Sequence, residues 1–373
     1  MRKIVIIFFI LFNSNLISSQ KKENILKILR KVNNYFISKY PDPTIPTFVV
    51  KERTSNLWTR AVYYEGLLEL QKIDPNLYYI NYSLTWADFH QWGPRDGINT
   101  TNADNQCCGQ AYFELLNYIK TSNPIKRIKN ILQNLENQMS TNKYNYWTWI
   151  DAIQMAMPLY AKAYRFTGNR KYIDYAMKSY LWTRDECGGG LLNKKIGFWW
   201  RDENFVPPFT EQDGNDCYWS RGNGWVYAAL ARVMETIGKN DEYYNELKND
   251  FILMSEAIAG SQREDGFWNV SLASPETFGG KETTGTSLFL HGMSWGIRNG
   301  ILHDKKYRNV VDRAWKALEV DSVHPDGFLG YIQGTGKAPN ESQPVNYTRV
   351  PDFEDFGTGC FLLGGTEYFR LIE

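Results

Sequence analysis

One carboxylate stands in an unusually apolar stretch of the sequence. Asp151 lies in NYWTWIDAIQMAMP, residues 145–158, among tryptophans, isoleucines and methionines with helical spacing. If the helix begins near Trp147, then Trp147, Asp151 and Met155 fall on one stripe. An apolar setting raises the pKa of a carboxyl by desolvation, which a proton donor near neutral pH requires. The stretch indicates a candidate general acid, although an acidic first turn also suits a helix N-terminus.

A second group surrounds Arg221 in CYWSRGNGWVYAALAR, residues 217–232. An arginine there can bind a carboxylate through both arms of its guanidinium, with the indoles of Trp219 and Trp225 walling in a sugar ring. The glycines that follow Arg221 let the backbone approach a ligand closely. The structural alternative is an arginine paired with an aspartate such as Asp216, with the glycines serving helix packing.

A third group, NADNQCCGQAYFELL at residues 102–116, places Asp104 directly before a helical pattern. Asp104 is a candidate helix N-cap, and that role does not exclude a place in a site. If it lies near Asp151, repulsion between the two charges raises one of the two pKa values. The two aspartates therefore form a candidate acid pair.

Helical segments separated by Gly, Pro or Asn must position these residues. The apolar spacing predicts helices at residues 23–39, 57–71, 77–90, 106–120, 124–138, 148–167, 170–184, 222–237, 241–259, 283–300, 305–319 and 356–372. Paired in order they form six hairpins, which predicts one all-α domain, an (α/α)6 barrel over residues 21–373. The alternative is an open helical array, but no fixed short period is visible. Loops at one end of a closed barrel are expected to carry the function.

The N-terminus indicates export. MRKIVIIFFILFNSNLISSQ has a short basic start, an apolar run from Ile4 to Phe12 and small polar residues around Ser18 and Ser19. This order is typical of a secretory signal peptide over residues 1–20, and the run is too short for a stable membrane anchor. Cleavage near Ser19 or Gln20 is predicted, with a periplasmic or secreted product.

The composition limits the class of partner. The formal net charge of the 373 residues is +1, so general basicity does not indicate a nucleic-acid partner. Thirteen Trp and 24 Tyr suit sugar rings, although such residues also fill helical cores. Five Cys without a CxxC pair and four His without ligand spacing indicate neither a disulfide framework nor a metal site, and no cofactor is expected. Buried free thiols are predicted.

Taken together, five motifs resemble a known family. In chain order they are ADNQCCGQ (103–110), WIDAIQMAMP (149–158), WSRGNGW (219–225), ETTGTS (282–287) and FGTGCFLLGGTE (356–367). They resemble glycoside hydrolase family 105, the unsaturated rhamnogalacturonyl hydrolases, and more distantly family 88, the unsaturated glucuronyl hydrolases. The resemblance covers essentially the whole mature chain, and it implies an (α/α)6 barrel. It also implies removal of a 4,5-unsaturated uronic acid from the non-reducing end of lyase-generated oligosaccharides.

The resemblance implies roles for the two aspartates. Asp151 matches the acid/base, which protonates C4 of the sugar's enol ether and then helps water to add at C5. Asp104 matches the second acid, which positions the sugar or tunes Asp151. The apolar setting of Asp151 is then a way to keep it protonated often enough to donate.

The resemblance also implies a substrate pocket. Arg221 is expected to meet the uronate carboxylate, and Trp219 and Trp225 are expected to stack on the flattened ring. Trp149 and Met155, which flank the candidate acid, are expected to line the same pocket.

One departure from the family pattern bears on the substrate. Where the resemblance leads us to expect a histidine, the sequence reads GFWWRDENF (197–205), with Trp200 and Arg201. An extra cation at the rim suits a sulfated or otherwise anionic neighbouring sugar. Lyase products of ulvan, which end in unsaturated glucuronate on rhamnose sulfate, are therefore slightly preferred over pectic rhamnogalacturonan.

Two other classes of function stay open from the sequence. A non-catalytic carbohydrate-binding barrel would use the aromatic residues alone, but pure binding gains little from an acid in an apolar stripe such as Asp151. A lyase or epimerase on a similar barrel typically uses His or Tyr as its base. None of the four His lies in the three groups described above.

Overall fold

Helices make up most of the computed structural model, which describes residues 2–48, 52–120, 122–303, 305–349 and 354–372. The α-helices of this part are α1 Arg2–Lys39, α2 Trp58–Ile73, α3 Leu77–Phe89, α4 Ala103–Gln106, α5 Gly109–Leu115, α6 Pro124–Arg127, α7 Lys129–Ser140, α8 Asp151–Thr167, α9 Lys171–Asp185, α10 Ser220–Ile237, α11 Tyr244–Gly260, α12 Pro275–Phe278, α13 Thr283–Arg298, α14 Lys305–Ala317 and α15 Asp355–Leu371. Two antiparallel two-stranded sheets are formed by β1 Thr47–Phe48 with β2 Glu52–Arg53, and by β3 Leu192–Asn193 with β4 Phe198–Trp199.

Six inner helices form a closed ring. Helix α2 contacts α5, α5 contacts α8, and the contacts continue through α10, α13 and α15 back to α2. Helices α3, α9, α11 and α14 each pack on the inner helix that precedes them, and α1 packs on α15. Because the inner helices close into a ring, the protein is not an open helical array. The predicted (α/α)6 barrel is confirmed.

Close helix packing explains the glycines near the end of the chain. A Cβ atom added to Gly359 of α15 would lie 2.2 Å from the carbonyl oxygen of Val62 in α2. Only a residue without a side chain allows the two inner helices to approach this closely. The glycines of the FGTGCFLLGGTE motif therefore serve the barrel wall.

Three predicted helices differ from the structure. The segment 106–120 begins at the last residue of α4 and then forms α5 and a short 3-10 turn, and 124–138 is interrupted at Ile128. Helix α8 begins at Asp151 instead of near residue 147, because the main chain before it pairs with a distant strand-like segment. Helix α1 runs continuously past the predicted cleavage position. None of the helices in the described ranges is long and apolar enough to cross a membrane.

The inner helices run in the same direction, because each is followed by a returning outer segment. Their first turns therefore meet at one end of the barrel, which we call the N-terminal end, and their last turns meet at the C-terminal end. Partial positive charge collects at helix N-termini, which favours negatively charged groups there. The N-terminal end carries Asp104 in α4 and Asp151 in α8.

Candidate active site

Asp151 is the first residue of α8 and is 9% exposed. Two main-chain contacts position it: Trp149 pairs with Asp202 as an antiparallel bridge, and the amide of Ile150 donates to the carbonyl of Arg201 at 2.9 Å. This pairing ties the start of α8 to the segment that follows β4. As a result, the Arg201 side chain lies directly beside the Asp151 carboxylate.

Arg201 contacts two carboxylates. Its Nε lies 3.3 Å from Oδ2 of Asp151, an ion pair without the geometry of a hydrogen bond, and its Nη1 donates to Oδ2 of Asp202 at 2.6 Å. The side chain of Arg201 is 20% exposed. The cation expected at the rim is thus in contact with the candidate acid itself.

Asp104 is partly exposed and lies within electrostatic reach of Asp151. Burial raises the pKa of Asp104 to about 7, and the negative charge of Asp151 acts in the same direction. The positive charges of Arg201, Arg95 and Arg53 oppose this rise. Asp104 is not the helix cap, because Asn102 accepts the Asp104 amide at 2.8 Å. The structure therefore brings the two predicted acids together.

The two carboxyls differ in how they hold a proton. Burial raises the pKa of Asp151 above its usual value, while Arg201 and then Arg221 act to lower it. The contact with Arg201 favours the ionised form of Asp151, whereas the pKa of Asp104 is raised to about 7. The pair shares one proton close to the pH at which an acid catalyst must work.

Arg221 faces main-chain carbonyls in this structure. Its Nη1 and Nη2 donate to the carbonyl oxygens of Gln333 and Gly334 at 2.6 and 2.7 Å, and the side chain is fully buried. This differs from the expected grip on a substrate carboxylate, because both terminal nitrogens already donate within the protein. The structural alternative, a pair with Asp216, is not formed either, since Asp216 accepts from the hydroxyl of Tyr218.

The two tryptophans around Arg221 are also buried. The indole of Trp219 donates to Oε1 of Gln333 at 2.8 Å and stacks under Arg221, 4.6 Å from the guanidinium. Trp225 is 0% exposed and contacts Trp58 edge-on, with 6.2 Å between ring centroids. In this conformation they hold the loop after Gln333 against α10, and neither presents a face to a sugar.

Partly exposed aromatic rings remain beside the acids. Trp149 lies next to Arg201, with its ring centroid 6.0 Å from the guanidinium, and Trp58 begins α2 with only part of its ring covered. Met155, one turn after Asp151, is 1% exposed and belongs to the core. Of the three predicted pocket tryptophans, Trp149 is partly exposed, whereas Trp219 and Trp225 are buried.

Several residues at this end were missed by sequence reasoning. Arg53, at the end of β2, and Arg95, in the loop after α3, act on Asp104, and nothing in their local sequence marks them. Asp202 follows Arg201 directly, so the dipeptide was a weak signal for a fixed guanidinium. Glu282 of the ETTGTS motif caps α13 by accepting the amides of Thr284 and Gly285.

The cysteines and candidate metal ligands are readily described. All five Cys are buried and free of disulfide bonds, as the sequence predicted. Within the described residues, no group of three or more His, Cys, Asp or Glu is arranged to hold a metal ion.

Comparison with known proteins gives concordant matches over nearly the whole chain. The family model described as Glycosyl Hydrolase Family 88 matches residues 28–372. A curated protein of Formosa agariphila, named unsaturated 3S-rhamnoglycuronyl hydrolase, is 30% identical over 333 residues, which cover 85% of this chain and 85% of that protein.

Two solved structures share the fold closely. A glycosyl hydrolase family 88 protein from Bacteroides vulgatus has a TM-score of 0.83 at 32% identity, covering 94% of this chain and 99% of that chain. A protein described as a polysaccharide lyase also has a TM-score of 0.83, at 29% identity, covering 94% and 98% of the two chains. Both support the all-α barrel, and their descriptions differ in the reaction.

Proposed function

The chain belongs to Glycosyl Hydrolase Family 88, and on this premise we propose that it removes a 4,5-unsaturated uronyl residue from the non-reducing end of lyase-generated oligosaccharides. The observation that carries the proposal is the pair of carboxyls at the N-terminal end of the barrel. Burial raises the pKa of both Asp104 and Asp151, so the pair retains a proton near neutral pH. A hydrolase that acts on an enol ether needs such a proton.

The reaction is the hydration of a carbon–carbon double bond. Asp151 donates a proton to C4 of the unsaturated sugar, and positive charge develops at C5 and on the ring oxygen. Water then adds its oxygen at C5 and returns a proton to the Asp151 carboxylate. The resulting hemiketal opens and releases the remaining oligosaccharide. One carboxyl therefore acts first as the acid and then as the base.

The charge distribution suits an anionic sugar. Arg201 contacts Asp151, and Arg53 and Arg95 lie close enough to act on Asp104. A uronate carboxylate entering this end meets three guanidinium groups, and the face of Trp149 is available for stacking on the ring.

We further propose that the uronyl residue is linked to rhamnose, with ulvan products preferred to rhamnogalacturonan products. The name of the Formosa agariphila relative joins an unsaturated glycuronyl unit to rhamnose, which supports the rhamnose linkage. The arginines at this end support an anionic substrate of either kind. Side-by-side assays with the two classes of oligosaccharide decide the preference.

The proposal is tested by ultraviolet absorbance of the conjugated enol ether. Purified protein mixed with lyase-generated ulvan or rhamnogalacturonan oligosaccharides is expected to lower this absorbance, whereas Asp151→Asn is expected to leave it unchanged. Binding without any change in absorbance would instead favour the non-catalytic carbohydrate-binding barrel.

A polysaccharide lyase is the second candidate, because one closely similar structure carries that description. A lyase creates the enol ether by elimination, so it raises the same absorbance when it meets the intact polymer. The hydrolase lowers the absorbance of fragments and leaves the intact polymer unchanged. The sign of the change therefore separates the two reactions in one assay.

Export is part of the same proposal, since lyase products of a polymer arise outside the cytoplasm. The signal pattern over residues 1–20 supports it. N-terminal sequencing of the protein purified from its native host is expected to begin near Gln20. Recovery of the intact N-terminus would contradict export by this route.

A further inference from the structure

Arg201 occupies an unexpected position for a proton-donating site. The guanidinium is 3.3 Å from the Asp151 carboxylate, and Asp104, Asp202 and Arg221 are the other charged groups that act on Arg201 or on Asp151. A cation in contact with a carboxylate favours its ionised form. In the protein without substrate, Arg201 therefore opposes protonation of the group that must donate a proton, while burial favours it.

The chemistry of the substrate places a second carboxylate at the same guanidinium. In a 4,5-unsaturated uronate the carboxylate is attached to C5, the carbon next to the C4 that accepts the proton. If Asp151 is close enough to protonate C4, the substrate carboxylate is only two bonds farther away. Arg201, which contacts Asp151, is then within reach of both.

The contacts of Arg201 show which edge of the guanidinium is free to change partner. Nη1 is fixed by its 2.6 Å hydrogen bond to Asp202, and Asp202 is itself held by the amide and side chain of Asn204 at 2.9 and 2.8 Å. Nε meets Asp151 without hydrogen-bond geometry. One edge is an anchor, and the other makes a contact that a better-aligned carboxylate can replace.

We propose that the uronate carboxylate of the substrate displaces Asp151 from Arg201, so that Asp151 takes over the proton held by the acid pair only when substrate is bound. This inference rests on the proposed function. Burial and the remaining charge of Asp104 both favour the neutral form of Asp151 once the arginine has turned to the substrate. Arg201 is therefore a positioning residue that couples binding to proton transfer.

If the exchange occurs, wild type and Arg201→Gln change places in order of activity between two substrates. The substrates are an unsaturated uronyl disaccharide and its uronamide, in which a neutral amide replaces the carboxylate. Wild type is expected to be at least about 100-fold slower on the amide, because the amide does not draw Arg201 away from Asp151. Arg201→Gln is expected to lose kcat/KM on the acid but to exceed wild type on the amide by about tenfold.

Two further variants complete the design. Arg201→Lys keeps the charge beside Asp151 without a guanidinium fork, and it is expected to stay as slow as wild type on the amide. Arg170→Gln is the matched control, because Arg170 is an ion-paired arginine, 37% exposed, that contacts Asp241 at the C-terminal end. It is expected to match wild type on both substrates. Thermal unfolding of each variant checks that it is folded.

The pH profiles give a readout that a purely structural arginine would not move. The loss of kcat/KM at high pH, which reports the free enzyme, is expected to shift to higher pH in Arg201→Gln and not in Arg201→Lys. The other charged groups near Asp151 and residue 201 are Asp104, Asp202 and Arg221, and they are the same in both variants.

Three outcomes are distinguishable. Wild type active on the acid, with Arg201→Gln faster than wild type on the amide, supports the exchange. Wild type active on the acid, with Arg201→Gln slower than wild type on both substrates, overturns the exchange and leaves the proposed function standing. Wild type inactive on the acid overturns both.

Discussion

At the N-terminal end of the barrel the buried carboxyl of Asp151 contacts Arg201 and the carboxyl of Asp104 is partly exposed. At the C-terminal end, by contrast, each of three glutamates is paired with two cations. Glu69 is bonded by Lys72 and Arg370, at 2.6 and 2.7 Å. Glu367 is bonded by Arg298 and Arg370, at 2.6 and 3.0 Å. Glu114 is paired with Lys72 and Lys162. These groups line a cavity of about 330 Å³ where the inner helices end.

Opposite pKa shifts follow from this difference in partners. Burial by itself would raise the pKa of Glu69, but Lys72 and Arg370 outweigh it and hold the pKa below its usual value. At the N-terminal end burial prevails, and the pKa of Asp104 is raised to about 7. Burial of a carboxyl therefore creates an acid catalyst only where cations are too few to compensate for it. Asp104 therefore keeps its proton to a higher pH than a free carboxyl does, whereas Glu69 and Glu114 lose theirs at a lower pH.

The largest expected effect is on catalysis at the N-terminal end. Asp151→Asn is expected to lower kcat/KM on unsaturated oligosaccharides by about 10²–10⁴-fold, because the amide has no proton to donate to C4. The unfolding midpoint is expected to change little, since Arg201 keeps its hydrogen bond to Asp202 when the Asp151 charge is removed. Kinetics and thermal unfolding on the same preparation check this. A variant that keeps full activity would remove Asp151 from the reaction.

The matching change at the C-terminal end is expected to act on stability alone. Glu367→Gln leaves Arg298 and Arg370 without their shared carboxylate, so the free energy of unfolding is expected to fall by about 3 kcal/mol. Activity per folded molecule is expected to be unchanged. Denaturant unfolding measures the effect, with Glu256→Gln as the control because its side chain is 55% exposed and pairs with Lys306. An equal loss in both variants would contradict the comparison.

The pH dependence of stability is expected to differ between the ends. Asp104 has a raised pKa of about 7 in the folded protein, so its contribution to stability is complete below its unfolded pKa and is lost as pH rises through 7. Asp104→Asn is expected to remove this loss, making the variant more stable than wild type at pH 8 by about 2 kcal/mol. Urea unfolding at pH 5 and pH 8 measures it.

Asp88→Asn is the control for that measurement, since its side chain is 53% exposed. The reverse sign holds at the C-terminal end, where the lowered pKa of Glu69 means that its contribution is lost as pH falls. A wild-type protein that gains stability between pH 5 and pH 8, with no change on Asp104→Asn, would contradict the assignment of Asp104.

The smallest expected effect concerns sugar stacking. Trp149→Ala is expected to raise KM about tenfold with little change in kcat, because the ring offers binding that is similar in the ground and transition states. Trp182→Ala, a partly buried tryptophan of α9, is the control and is expected to leave KM unchanged. A loss confined to kcat would show that Trp149 acts on the acid pair instead.

Most helices of the barrel were predictable, but their first residues were less so. Apolar periodicity located the ring of inner helices, because each must bury nearly all of its surface. It placed the start of α8 too early, since the pairing of Trp149 with Asp202 depends on a distant segment. It also predicted one helix over 106–120, where the structure places the break between α4 and α5 and a 3-10 turn after Leu115.

The sequence by itself determined the all-α class, the two candidate acids and the apolar setting of Asp151, since these depend on residue type and local spacing. Only the tertiary structure decided which arginine contacts the candidate acid Asp151. Arg221, in the most specific motif, donates its terminal nitrogens to the carbonyls of Gln333 and Gly334. Arg201, by contrast, contacts Asp151. Local spacing sets which residues share a helix face, but the partner of a charge depends on how distant segments are brought together.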